Sequence, residues 1–229
     1  MNNTFKAFLF DLNGTMIDDM EYHTQAWYQV LTGQLGASLD YAEVKKEMYG
    51  KNAEVLLRIF GPNRFSPEEI EYLSVEKEKQ YQAAFKPHLK LIEGLDAFLE
   101  QAHQAGIKMA ICSAAITANI DFVIDGLGIR HYFGAIVSAD DVTTSKPHPE
   151  TFLKGAELLG MAPEACIVFE DAPKGVEAAA NAGMNAVVLT TMHAREEFAA
   201  YTNSICFAPN YNDPALRTIF FKMPQTFNR

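Results

Sequence analysis

Short apolar runs of strand length stand at Phe5–Phe10, Ile107–Cys112, Ala135–Ser138, Cys166–Phe169 and Asn185–Leu189, and a long gap without any such run separates the first from the second. From residue 107 onward the runs alternate with helix-length segments, the pattern of a parallel sheet with helices on both faces. The gap reads differently. Asp18-Asp19-Met20-Glu21 suits the start of a helix that continues to about Leu35, and Asn52–Phe60 places Val55, Leu56 and Ile59 at helical spacing. Ser66-Pro67-Glu68-Glu69 supplies an N-cap, an N1 proline and a capping-box acid for a helix reaching toward Phe85. The chain therefore predicts an α/β core with a doubly wound parallel sheet, made of residues 1–16 and 91–229, interrupted by an all-helical cap of residues 17–90. Its crossing segments are expected at residues 16–20 and 87–94. An insertion after the first strand lies over the edge where open α/β sheets bind ligands, so the helical block is expected to act as a lid.

Composition narrows the function. The 229 residues include 48% hydrophobic and 21% charged residues, ordinary for a folded soluble protein. The net charge of -10 argues against a nucleic-acid partner or an anionic membrane surface. An anionic substrate must then meet a locally positive site. Cys112, Cys166 and Cys206 form no Cys-x-x-Cys pair, which predicts buried thiols in a reducing compartment. No apolar stretch of signal-peptide or membrane-spanning length precedes Asp11, and a cytoplasmic location is expected.

Polar residues follow the strand-like runs directly. Asp11 comes after Phe10, Ser113 after Cys112, and Glu170-Asp171 after Phe169, while Lys146 lies beyond the Ala135–Ser138 run. In a parallel sheet these positions share one edge, so distant loops converge on one crevice. Three crowded carboxylates need a compensating cation, and oxygen ligands without a His or Cys cluster favour Mg²⁺ over zinc. A phosphoryl group would be held by the metal, Lys146, the Ser113 hydroxyl and backbone N–H groups while Asp11 attacks phosphorus. Each residue alone has a plainer explanation: a turn at Asn13-Gly14, a helix cap at Ser113 or at Glu170-Asp171, a solvated lysine at Lys146. Their joint occurrence in this order points to phosphoryl chemistry. One position breaks the pattern. Asn13 stands two residues after Asp11, where a second carboxyl group would shuttle the leaving group's proton, and an amide has no proton to give near neutral pH.

Phe8-Leu9-Phe10-Asp11-Leu12-Asn13-Gly14-Thr15, Ile111-Cys112-Ser113-Ala114, Ser145-Lys146-Pro147-His148-Pro149-Glu150 and Phe169-Glu170-Asp171-Ala172-Pro173-Lys174-Gly175 resemble the four motifs of the haloacid dehalogenase-like hydrolases. With the helical insert and Tyr22-His23-Thr24-Gln25-Ala26-Trp27, the chain looks most like the β-phosphoglucomutase-type subgroup and its small-substrate phosphatases. The resemblance implies a Rossmann-like core and an Mg²⁺-dependent phosphohydrolase acting on a small phosphorylated metabolite. By the same resemblance Asp11 is the nucleophile and a metal ligand, and Glu170 and Asp171 help hold Mg²⁺ directly or through water. Ser113 and Lys146 bind the transferring phosphoryl group. Asn13 keeps only the backbone carbonyl that its counterpart offers the metal. His23 matches a cap histidine that assists the acid/base, and Lys77 aligns with a cap lysine that contacts substrate. Ala53 falls where mutase relatives carry a phosphate-gripping arginine, so Lys51 or Arg58 would have to substitute. Two alternatives stand beside the phosphohydrolase: a hexose-phosphate mutase, and a low-turnover phosphometabolite-binding module. Dehalogenation ranks lowest, because Glu170-Asp171 resembles a metal pair. Losing acid/base help is worth about 10²–10⁴ in rate, so activity is expected to favour substrates with good leaving groups.

Overall fold

The computed structural model describes residues 5–221. Strand β1, Ala7–Phe10, leads into helices α1 (Met20–Tyr28), α2 (Tyr41–Glu47), α3 (Asn52–Phe60) and α4 (Pro67–Phe85). Then α5 (Leu95–Gln104), β2 (Lys108–Cys112), α6 (Thr117–Gly126), β3 (Ala135–Val137), α7 (Glu150–Leu158), β4 (Cys166–Glu170), α8 (Pro173–Asn181), β5 (Asn185–Leu189), β6 (Ser204–Ala208) and α9 (Pro214–Phe220) complete the order. The six strands form one sheet in the order β3-β2-β1-β4-β5-β6, and every pairing is parallel. Five of these strands coincide with the apolar runs of the sequence. The sixth, Ser204-Ile205-Cys206-Phe207-Ala208, lies at the sheet edge opposite β3, with Ile205 exposed and Cys206 and Ala208 buried; it falls outside the five runs although Ile205–Ala208 is itself apolar.

Successive side chains of β1 point to opposite faces and are fully buried on both. Phe8 and Phe10 pack with Phe98, Phe169, Tyr211 and Phe220, with Phe10 and Phe169 stacked at 4.6 Å between ring centroids. Ala7 and Leu9 face Val168, Phe152 and Cys112 on the other side. Each buried phenylalanine contributes roughly 1.5–3 kcal/mol of hydrophobic stabilisation, and that packing holds the strand ends in place. Phe10 pairs in register with both Ile111 and Phe169, so the residues that follow these three strands leave the sheet at one level. All three cysteines are buried free thiols.

Between β1 and β2 the chain is helical. Trp27, Val30, Leu31, Val44, Val55, Leu56 and Leu73 make a separate small core there, while Ala26, Tyr81 and Phe85 join the core of the sheet. A Rossmann-like core with a helical cap is the resulting fold. The caps expected for α4 are present: the Ser66 hydroxyl accepts from the Glu69 N–H, and the Glu69 carboxylate accepts from the Ser66 N–H at 2.8 Å. The first cap helix departs from its expected single run to about Leu35. It ends at Tyr28 and continues as a π-helix over Gln29–Gln34, where the Thr32 hydroxyl donates to the Tyr28 carbonyl at 2.6 Å and Gly33 weakens the helical preference. The two segments that join the helical block to the sheet lie side by side, with Ile17 bridged to Leu91 and the Ile92 N–H donating to the Met16 carbonyl at 2.9 Å. No helix among the described residues is long and apolar enough to cross a membrane.

Candidate active site

Asp11 leaves β1 as its first non-strand residue, held by its own N–H donating to the Phe169 carbonyl at 3.0 Å. The residue is 7% exposed, and its carboxylate accepts a hydrogen bond from the Lys146 ammonium at 2.7 Å. Lys146 arrives from the loop between β3 and α7 and also donates to Glu170 Oε1 at 2.8 Å and to the Cys112 carbonyl at 3.1 Å. Glu170 ends β4, and its Oε2 accepts the N–H groups of Asp171 and Ala172, both at 2.9 Å. Gly175 makes room for that carboxylate, since a Cβ there would sit 1.8 Å from Glu170 Oε1. Asp171 accepts the Thr15 hydroxyl at 3.0 Å and lies against Gly14, whose φ of 75° and close approach leave no space for a side chain. Ser113 is buried at the end of β2, and its hydroxyl accepts the Ala115 N–H at 3.1 Å.

Charge does not balance here. Asp11, Glu170 and Asp171 face a single ammonium, that of Lys146. Burial pushes the Asp11 carboxyl up to about 7, with Lys146 opposing and Glu170 and Asp19 adding to the rise. Burial, then Glu170 and Asp11, likewise hold Asp171 well above the carboxylate range. Burial works against the Lys146 ammonium, but the two carboxylates outweigh it and raise its pKa. An uncompensated cluster of buried carboxylates suits a divalent cation with oxygen ligands. Among the described residues, no three His, Cys, Asp or Glu side chains form a ready-made metal cage, and Glu170 is occupied by Lys146 and two backbone amides. Such a donor set fits Mg²⁺, which is commonly held by one or two carboxylates plus water and substrate phosphate. Asp11, Asp171 and the Asn13 carbonyl are the groups that could hold it.

Above the sheet edge the cap adds a second polar cluster, which the sequence reading only partly contains. Asn13 turns its amide away from β1 and donates to Asp19 Oδ2 at 2.6 Å. His23 Nε2 lies 3.3 Å from the same oxygen, and Tyr81 donates its hydroxyl to it. Lys77 is 2% exposed, bonded to His23 Nδ1 at 2.7 Å and to Glu78 Oε1 at 3.0 Å. The alternating charges of Glu76-Lys77-Glu78-Lys79 suggest a solvated helix face, and only the fold shows that the middle pair points inward. Asn52 and Asn119 donate to Glu78, both at 2.7 Å. Asp19, Tyr81 and Asn119 were not among the sequence candidates. Asp19 was read as part of an acidic helix start, yet its side chain caps nothing and is fully buried.

Between the two clusters lies a cavity of about 410 Å³ lined by Asp11, Asn13, His23, Lys77, Ser113, Lys146, Glu170 and Asp171, so all eight sequence candidates face one space. Lys51 and Arg58 differ from one another. Lys51 lines the cavity but donates its ammonium to the Val142 carbonyl at 2.6 Å; Arg58 donates to the Glu47 and Tyr49 carbonyls and stacks on the Tyr49 ring.

A buried carboxylate, a bridging lysine and an acidic loop at the carboxyl edge of a parallel sheet, beneath a helical cap, suit a hydrolase-type α/β enzyme. The family model for haloacid dehalogenase-like hydrolases matches residues 5–183, and the chain belongs to that family. It is 32% identical to the fructose-1-phosphate phosphatase of Escherichia coli over 82% of this chain and 97% of that protein. It is 31% identical to the β-phosphoglucomutase of Bacillus subtilis over 80% of this chain and 82% of that protein. The crystal structure of β-phosphoglucomutase from Clostridium difficile superposes with a TM-score of 0.81 at 27% identity, covering 94% of this chain and 97% of that one.

Proposed function

We propose that this chain is an Mg²⁺-dependent phosphohydrolase for a small sugar or sugar-alcohol monophosphate, working through an aspartyl-phosphate on Asp11 inside a reducing, cytoplasmic compartment. The observation that carries the proposal is the buried Asp11 carboxylate, paired with Lys146 in the cavity and crowded by two further carboxylates. In this reading residues 17–90 form the lid. Asp11 attacks phosphorus, Lys146 and Ser113 hold the phosphoryl oxygens, and water then attacks the acyl phosphate to regenerate Asp11. Bound at Asp11, Asp171 and the Asn13 carbonyl, Mg²⁺ would offset the negative charge of the phosphoryl group and of the nucleophile as they approach. Asn13 cannot donate a proton, so release of an alkoxide is slowed unless another side chain supplies one.

Two observations favour hydrolysis over the mutase alternative. A mutase must grip a second phosphate on the cap, yet Ala53 lines the cavity, Lys51 is committed to the Val142 carbonyl and Arg58 to the Glu47 and Tyr49 carbonyls. The cap wall instead presents Asn52, Ser74 and Glu78, beside Asn119 of α6, groups suited to neutral hydroxyls. Phosphate release from fructose 1-phosphate and hexitol phosphates, with and without Mg²⁺, tests the reading. Activity should require the metal and vanish in Asp11→Asn; Asp11→Asn turnover equal to the parent would refute it. Thermal stabilisation by a phosphate ester without any release would instead support the binding-module alternative.

A further inference from the structure

Asp19 is a buried carboxylate only half satisfied by its neighbours. It is fully buried, it does not cap the helix it precedes, and its Oδ1 has no hydrogen-bond partner among the described residues. A half-satisfied buried carboxylate costs stability, and such groups call for an explanation. Its other oxygen is heavily used: Asn13 Nδ2 at 2.6 Å, Tyr81 OH, and His23 Nε2 at 3.3 Å all converge on Oδ2. The carboxylate missing at position 13 is thus replaced, one hydrogen bond away, by another that touches the amide standing in its place.

We propose that Asp19 and His23 together take over the acid/base work that Asn13 cannot do, with His23 as the catalytic residue and Asp19 as the positioning residue. The inference rests on the phosphohydrolase reading. His23 lines the cavity beside Asn13 and Asp11, whereas Asp19 sits behind it, so the ring and not the carboxylate meets substrate. The ring is fixed on three sides: it stacks on Tyr81 with centroids 3.7 Å apart, its Nδ1 accepts from the Lys77 ammonium at 2.7 Å, and its Nε2 faces Asp19. With Nδ1 accepting, the proton resides on Nε2, the nitrogen nearest Asn13. Burial holds the Lys77 ammonium below its ordinary value, with Glu78 opposing, so Lys77 is a ready source for the ring.

In the first half-reaction Asp11 forms its bond to phosphorus, and the phosphorus–oxygen bond to the alkyl group breaks. The departing oxygen takes the Nε2 proton as Lys77 passes one to Nδ1, leaving a neutral lysine and an alcohol. In the second, water attacks phosphorus and the Asp11–phosphorus bond breaks. The water's proton returns to Nε2 and the Nδ1 proton to Lys77, so all protons balance over the cycle.

The test is a single-turnover comparison, read as release of the leaving group, of an alkyl ester, fructose 1-phosphate, with an aryl ester, p-nitrophenyl phosphate, whose leaving group needs no proton. Asp19→Asn should slow the release of fructose by about 10-fold or more, while the first-turnover release of p-nitrophenol, which precedes the attack of water, stays within about threefold. Preserved p-nitrophenol release also shows that the variant is folded; should Asp19→Asn not fold, Asp19→Ser gives the same split. Restoring a carboxylate with Asn13→Asp should make the alkyl rate insensitive to Asp19→Asn. Equal losses on both esters, or an undiminished alkyl loss in the Asn13→Asp background, would overturn the inference and leave the phosphohydrolase reading intact. Absence of phosphate release from either ester in both the parent and Asn13→Asp would overturn the phosphohydrolase reading itself, and this inference with it.

Discussion

At the scale of single residues, the candidate site depends on close approaches that tolerate no added atoms. A methyl group at Gly14 would fall 2.2 Å from Asp171 Oδ2 on a backbone already at positive φ. Gly14→Ala is therefore expected to displace Asp171, cost about 1–3 kcal/mol of stability and weaken Mg²⁺ binding at least tenfold. Thermal melting and a magnesium titration of the melting temperature check both effects. Lys146→Met removes the one ammonium that separates Asp11 from Glu170, leaving two facing carboxylates unpaired. Turnover should be lost, and the protein should melt lower than the parent in the absence of metal. Sequence pattern brought Asp11, Ser113, Glu170 and Asp171 to one edge because each comes at the end of an apolar run, and Lys146 joins them from the loop beyond another. It could not locate Asp19 in its role, since nothing local distinguishes a buried acid in Asp18-Asp19-Met20-Glu21 from a solvated helix start.

At the scale of elements, what was legible followed from periodicity and capping. Strands β1 to β5, α3 and α4 announce themselves through apolar runs and through Ser66-Pro67-Glu68-Glu69; Ser66→Ala should cost about 1 kcal/mol, read as a lower denaturant midpoint. The edge strand β6 carries an apolar run of its own, Ile205–Ala208, that falls outside the five, whereas apolar spacing over Gln29–Gln34 does not distinguish a π-helix from an α-helix. Contacts between cap and sheet were equally hidden, being separated by long stretches of chain. Glu54, in the first turn of α3, accepts the Lys51 N–H at 2.9 Å and the Ser145 hydroxyl at 2.9 Å, tying the cap to the loop that carries Lys146. Glu54→Ala should speed hydrogen exchange at residues 143–146 and raise KM more than it lowers kcat. The Tyr49 ring makes a parallel link, sandwiched between Arg58 at 3.5 Å and Lys174 of α8 at 3.3 Å.

At the scale of the whole molecule, the charge excess at the sheet edge makes stability depend on pH and metal together. Asp11 holds its proton up to about 7 in the fold, against 3.8 for an unperturbed aspartate, and Asp171 is displaced in the same direction. Between those limits the folded chain binds more protons than the unfolded one, so stability falls as pH rises and is greatest, for these groups, below about 4. Without metal, the melting temperature should decline across pH 4–7 by this contribution, and Mg²⁺ should restore more at pH 7.5 than at pH 5, as differential scanning fluorimetry can show. A second consequence lies in the paired crossings at Ile17–Leu91 and Met16–Ile92. If residues 17–90 move as the proposed lid, two laced ribbons would flex as a single joint and carry Asp19 and His23 off Asn13 in one stroke. The posture that admits a sugar would then be chemically silent, and an acyl phosphate formed in the shut posture would meet its proton carrier only while the roof stays down.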